Sequence, residues 1–147
     1  MKKKVSVIKC NSYNSKKVSK SLQRSLKNIE FDLSKYKNKI ILIKPNLLSA
    51  NNPKKAVTTH PTILKEIVKI LIKNKVKKIY IGDSSAHNTE DSLEKCGINK
   101  LKKYKKIEVV NFETLPKRFL DLKLNLQGNK LKKTPVPKLL FKVDLII

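Results

Sequence analysis

The chain has 147 residues, enough for one domain around one core, with 39% apolar residues and a formal net charge of +24. Of its 35 basic residues only Arg24 and Arg118 are arginine, and aromatics make up 5%; so few guanidinium groups and stacking platforms argue against nucleic-acid recognition and favour solvated lysine faces. The basic start carries too short an apolar run for a signal peptide or membrane span, and Cys10 and Cys96 lack CxxC spacing, the pattern of free thiols in a reducing cytoplasm.

In chain order, residues 4–9 read as a short strand. Val18, Leu22, Leu26 and Ile29 recur at steps of four, four and three, which places them on one helix face. Ile40–Ile43 is a continuous apolar run, as in strands of a parallel sheet covered on both sides. The connection that follows, residues 45–60, is unusually long, since strand-to-helix loops in compact α/β domains usually take about 2–6 residues. Pro61 suits the first position of a helix, with Ile63, Ile67, Ile70 and Leu71 as its buried stripe.

Residues 78–81 predict a third strand that ends at Gly82. A short helix over residues 89–96 is terminated by Gly97, and residues 107–110 predict a fourth strand. Residues 119–133 alternate apolar and polar side chains around Gln127-Gly128-Asn129, a hairpin signal that predicts an antiparallel addition to the sheet. The apolar run 144–147 ends the sequence in mid-strand, so the chain is expected to be the amino-terminal portion of a longer domain. The pattern predicts one α/β domain over residues 1–147, a mainly parallel sheet flanked by helices with an antiparallel hairpin, incomplete at its carboxyl end.

Parallel α/β sheets bind ligands outside the carboxyl ends of their strands. Two such ends are rich in polar groups: Lys44-Pro45-Asn46 after the strand Ile40–Ile43, and Gly82-Asp83-Ser84-Ser85 after residues 78–81. Thr58, Thr59 and His60 precede Pro61, where helix amides and the positive end of the macrodipole favour an anion. Together Lys44, Asn46, Thr58, Thr59, His60, Gly82, Asp83, Ser84 and Ser85 predict a pocket for a carboxylate or phosphate, with Asp83 as a base, hydroxyl anchor or metal ligand. The same residues also have structural readings: Thr59 as a helix cap, Gly82 as the residue that turns the chain, Asp83 and Ser84 as turn formers. A metal site would need His60, Asp83 and His87 to converge, and no metal is assigned.

The stretch "ILIKPNLLSANNPKKAVTTHPTILKEIVKILIKNKVKKIYIGDSS" closely resembles the amino-terminal part of the domain of unknown function 362 family. Members carry a similar Lys-Pro-Asn strand end, a Thr-Thr-His-Pro helix start and a Gly-Asp-Ser turn, in this order. The resemblance runs from about residue 4 to residue 147. It implies continuation past Ile147 into further motifs, and in many members a separate ferredoxin-like domain with closely spaced cysteines. An iron–sulfur cluster is thereby implied for a downstream domain and none for this chain.

The expectation is a domain that binds a small anionic ligand as part of a redox-associated enzyme. The alternative is an electron-transfer or docking module whose basic surface meets an acidic redox protein. No reaction follows from these residues.

Overall fold

The computed structural model describes residues 4–121 and 132–147. Helix α1, Ser15–Asn28, leads through a short 3-10 turn to strand β1, Ile40–Ile43. Helix α2, Pro61–Lys73, then connects β1 to β2, Lys78–Asp83. Helix α3, Thr89–Lys95, and a 3-10 helix, Asn99–Lys103, connect β2 to β3, Ile107–Asn111. Strands β4, Lys117–Asp121, and β5, Lys133–Pro137, pair with each other, and a 3-10 helix, Lys138–Phe141, precedes the last strand, β6, Leu145–Ile146.

The main sheet has the order β3-β2-β1-β6 and every pairing in it is parallel. It is an α/β fold. The antiparallel hairpin forms its own two-stranded sheet and does not extend the parallel one. Two prolines in β5, Pro135 and Pro137, lack the N–H that a central strand would have to donate. The predicted turn Gln127-Gly128-Asn129 lies outside the described residues.

Alternation along β1 assigns its side chains to two layers. Ile41 and Ile43 join Ile79 and Ile81 of β2 beneath α2 and α3, whereas Leu42 packs with Val110 and Phe112 on the opposite face. That second face is covered by Leu139, Leu140 and Val143. Burial on both sides explains why β1 is apolar at every position, and each fully buried Ile or Leu contributes about 1.5–3 kcal/mol.

Four further expectations change. Residues 4–9 form no strand; Lys4 is tied to Glu30 and Ser6 to the side chain of Asn28, while Val5 and Val7 stay 85% and 92% exposed. Alternation is a local signal, and a strand also needs a neighbour. On α2 the fully buried residues are Leu64, Val68 and Leu71, facing the sheet, and Ile63, Ile67 and Ile70 are only partly buried; Ile63, Ile67 and Ile70 line clefts shared with α1. Strand β2 does not stop at Ile81 but runs on through Gly82 and Asp83, paired with Val110 and Asn111. The carboxyl-terminal strand is confined to Leu145–Ile146.

Polar contacts fasten the helices and the edge strand. The buried carboxylate of Glu66 on α2 accepts from the hydroxyl of Ser15 in the first turn of α1 and from Lys69 Nζ at 2.7 Å. Burial raises its pKa, but the bonds from Lys69 and Ser15 outweigh this and hold it below the ordinary carboxylate value. Asp144 accepts from the Ile40 N–H at 2.8 Å and Lys39 Nζ at 3.0 Å, which sets the start of β6 beside the start of β1. Among the described residues no helix is long and apolar enough to cross a membrane.

The continuation of β2 depends on Gly82. A Cβ at this position would lie 2.1 Å from the Val110 carbonyl oxygen and 2.6 Å from Val110 Cγ2. Both neighbours belong to the next strand, so relief requires moving β3. Gly82→Ala is expected to destabilise the domain by about 2–3 kcal/mol; urea unfolding with an unchanged midpoint would contradict this account of the glycine.

Candidate functional site

Three adjacent strands finish in a row of polar residues: Lys44 after β1, Asp83 at the end of β2 and Asn111 at the end of β3. Asp83 and Asn111 are register partners. Lys44 Nζ reaches Asp83 Oδ2 at 2.9 Å, and the Ser84 N–H donates to Asp83 Oδ1 at 2.9 Å, so both carboxylate oxygens are engaged. The two partners differ in exposure. The Asp83 side chain is 9% exposed and that of Lys44 50%, so a nearly buried carboxylate anchors a lysine whose side chain is half in solvent. Asn111, itself buried, donates from Nδ2 to Glu90 Oε1 at 3.1 Å and brings the first turn of α3 to the same edge.

The long connection between β1 and α2 is closed at its base by its own polar groups. The Asn46 N–H donates to Thr59 Oγ1 and the Thr59 N–H to the Asn46 carbonyl, both at 2.9 Å, and Asn46 Nδ2 donates to the Val57 carbonyl at 3.0 Å. Leu47 drops into the core with 1% exposure. The Leu48 carbonyl accepts from Ser85 Oγ and from the Ala86 N–H, both at 3.0 Å, which fastens the arch to the turn after β2. At its far side the buried thiol of Cys96 lies 3.4 Å from the Asn51 carbonyl oxygen and 3.5 Å from Thr58 Oγ1. The length of the loop thus spans the distance from a strand end to α3 and back.

Helix α2 begins with His60 as its N-cap. His60 Nδ1 accepts from the Thr62 N–H at 3.2 Å, the His60 carbonyl accepts from the Ile63 N–H at 2.9 Å, and Pro61 has no N–H. The first-turn amides are therefore occupied by the protein itself. Tyr13 stacks on the His60 ring with centroids 3.7 Å apart and planes 8° from parallel, and burial pushes the imidazole pKa below its ordinary value.

The predicted residues separate into groups. Lys44, Asp83 and Ser84 meet at the strand ends. Asn46 and Thr59 bind each other, Thr58 is buried against Cys96, and Ser85 is shared between Leu48, Ser92 Oγ at 2.9 Å and Thr89 Oγ1, which accepts from the Ser85 N–H at 3.0 Å. Thr59 closes the loop where the spacing predicts a helix cap, and His60 takes that role. Gly82 lies within β2, so it permits close approach of β3 and does not turn the chain. His87 is exposed, and among the described residues no three His, Cys, Asp or Glu side chains converge as a metal site.

Sequence reasoning overlooks Asn111, Glu90, Cys96 and Tyr13. Asn111 was one residue beyond the strand predicted over residues 107–110, and the rule that polar residues ending parallel strands share an edge points to it. Cys96 and Tyr13 carry no local signal, because their partners are 38 and 47 positions away in the chain.

The capping bond requires His60 Nδ1 to be unprotonated. With its folded pKa depressed, His60 contributes stability above the ordinary histidine value of 6.5, and this is lost as pH falls through the lower folded value. Thermal denaturation from pH 7.5 to 5 is expected to show a step of roughly 1 kcal/mol in the wild type. His60→Asn, which keeps a capping acceptor without a titrating ring, is expected to lack the step; an identical pH profile for the two proteins would refute this role.

No curated protein and no solved structure matches the chain. The family described as Domain of unknown function (DUF362) has a model that matches residues 41–147. The match begins with the buried part of β1, later than the residue 4 at which the resemblance was expected to start, and it leaves α1 outside. It includes the Lys44 strand end, the arch, the helix start at His60-Pro61 and the Asp83 turn. On this match over most of its length, the chain belongs to the domain of unknown function 362 family.

Proposed function

We propose that the domain binds a small carboxylate- or phosphate-bearing ligand at the carboxyl edge of its parallel sheet, with Lys44 as the charged contact. The observation that carries this reading is the 2.9 Å pairing of a lysine whose side chain is half-exposed with an aspartate whose side chain is nearly buried. An ammonium has three donors; Asp83 takes one and orients the group, and two remain for a ligand. Ser84, an exposed residue whose N–H is bonded to Asp83, adds a hydroxyl next to it in the chain. Asn46, Thr58, Thr59, His60 and Ser85 shape the rim by fastening the arch, and Gly82 keeps Asp83 in the sheet.

The position of β1 supports the same reading. Its partner on one side is β2, the next strand in the chain, and on the other β6, the last. Departures of strand order from chain order are where connections diverge and crevices open in α/β sheets.

A second reading is favoured by the net charge of +24: a docking module for an acidic redox partner, with any iron–sulfur cluster in a separate domain. We read the domain as cytoplasmic, a reading that the two free thiols, Cys10 and Cys96, support.

Isothermal titration against a panel of short carboxylates and phosphates distinguishes the readings. For a ligand that binds the wild type, Lys44→Ala is expected to weaken affinity about 10- to 100-fold, the range of a charge-assisted hydrogen bond. Asp83→Asn is expected to weaken it less, since the lysine stays but loses its anchor. Equal affinity of wild type and Lys44→Ala would eliminate the site. Association with an acidic ferredoxin that weakens as salt rises would favour the docking alternative.

A further inference from the structure

A second cationic feature lies away from the strand ends. The chain turns sharply at Gly97, whose φ of 74° is in the left-handed region, and the turn sets the 3-10 helix Asn99–Lys103 beside the start of α2. A cleft of about 380 Å³ lies between them. Its floor is apolar, formed by Pro61, Gly97 and Leu101, and its walls carry Lys65 of α2, Lys95 of α3, and Lys100 and Lys103 of the 3-10 helix. In a 3-10 helix residues three apart eclipse one another, so the backbone places Lys100 and Lys103 on the same side.

The cleft contains one acidic residue, Glu94, against these four lysines. Glu94 accepts from Asn99 Nδ2 at 3.0 Å. Among the described ion pairs none involves Lys65, Lys95, Lys100 or Lys103. Elsewhere the protein does pair its lysines, as with Lys44, Lys69 and Lys78. Four lysines from three elements thus line one concavity, none of them in a described ion pair, and Lys103 Nζ also lies 5.7 Å from the centroid of the Tyr104 ring; a polyanion would relieve the mutual repulsion of such a group.

We infer that this cleft binds an oligophosphate, the chain of linked phosphoryl groups found in inorganic polyphosphate and in nucleoside triphosphates. A single carboxylate or phosphate would meet one or two of the four lysines. Two or three linked phosphoryl groups carry enough charge and reach to engage amines on opposite walls, and the cleft volume falls within the range of small-ligand sites. The apolar floor accommodates bridging atoms or a ring without requiring a specific base. None of the four lysines belongs to the Lys44–Asp83 edge, so this site is independent of the proposal above.

The test uses inorganic tripolyphosphate and ATP in isothermal titration of the full chain at 0.15 M salt, where contacts between distant surface charges are largely screened. Three proteins are compared: wild type, Lys95→Glu/Lys100→Glu, and Lys17→Glu/Lys20→Glu. The last carries the same change in net charge on α1. Tripolyphosphate affinity is expected to fall at least about tenfold in the cleft variant and to stay within about twofold in the α1 variant. The neutral pair Lys100→Gln/Lys103→Gln covers misfolding of the charge-reversed protein and is expected to lose affinity in the same direction.

Equal weakening by the cleft and α1 variants would show attraction to net charge alone and overturn the site, as would absence of tripolyphosphate binding by the wild type. Comparable binding of tripolyphosphate and ATP supports recognition of the phosphoryl chain. Binding of a single-stranded oligonucleotide with no response to tripolyphosphate would replace the inference by a nucleic-acid surface. Loss of carboxylate binding on Lys44→Ala bears on the strand-edge site and leaves this result unchanged.

Discussion

The close approach of β2 and β3 at Gly82 is the constraint on which the candidate site depends. Without a side chain at residue 82, β2 stays hydrogen-bonded in register to its last residue, and the Asp83 carboxylate is held at the sheet edge at 7% residue exposure. That position lets it bind Lys44 from β1 on one side and lie in register with Asn111 of β3 on the other. A side chain at residue 82 would collide with the backbone of β3, separating the two strands that set this row.

The arch between β1 and α2 rests on the same edge. Its polar residues are chiefly occupied with one another and with the turn after β2, through Asn46–Thr59 at the base and Leu48–Ser85 along its side. Such bonds order a long segment that would otherwise carry a large conformational entropy, because each fixed residue opposes folding by about 1–2 kcal/mol. Polar residues crowded into a loop thus do not all have to face a ligand. Here they hold the frame beside the half-exposed side chain of Lys44.

The charge of the chain is distributed by the fold in two ways. Some lysines are matched to carboxylates across elements, as with Lys39–Asp144 and Lys78–Glu108. Others gather where the Gly97 turn and the 3-10 helix bring residues 65, 95, 100 and 103 around one cleft. Composition alone favours evenly solvated faces; the grouping arises from a single left-handed residue and a tight helical repeat.

Local patterns in the sequence determined β1, α2, α3 and the stop at Gly97, because apolar continuity, a proline at the first helical position and a glycine beyond a helix each act on neighbouring backbone. They also placed Lys44 and Asp83 at the carboxyl ends of strands, and hence on one edge, although Asp83 proves to be the last residue of β2 and not the first beyond it. Tertiary structure decided everything that needed a distant partner. Residues 4–9 alternate like a strand but meet no strand to pair with, the α2 stripe rotates toward Leu64 and Val68 because the sheet lies there, and Gly82 continues β2 because Val110 approaches it. Thr59 and Ser85 bind loop atoms and Thr58 packs against Cys96, contacts set by the course of the chain through space. Periodicity encodes which face a residue presents, whereas the identity of what that face meets is fixed only when the elements pack.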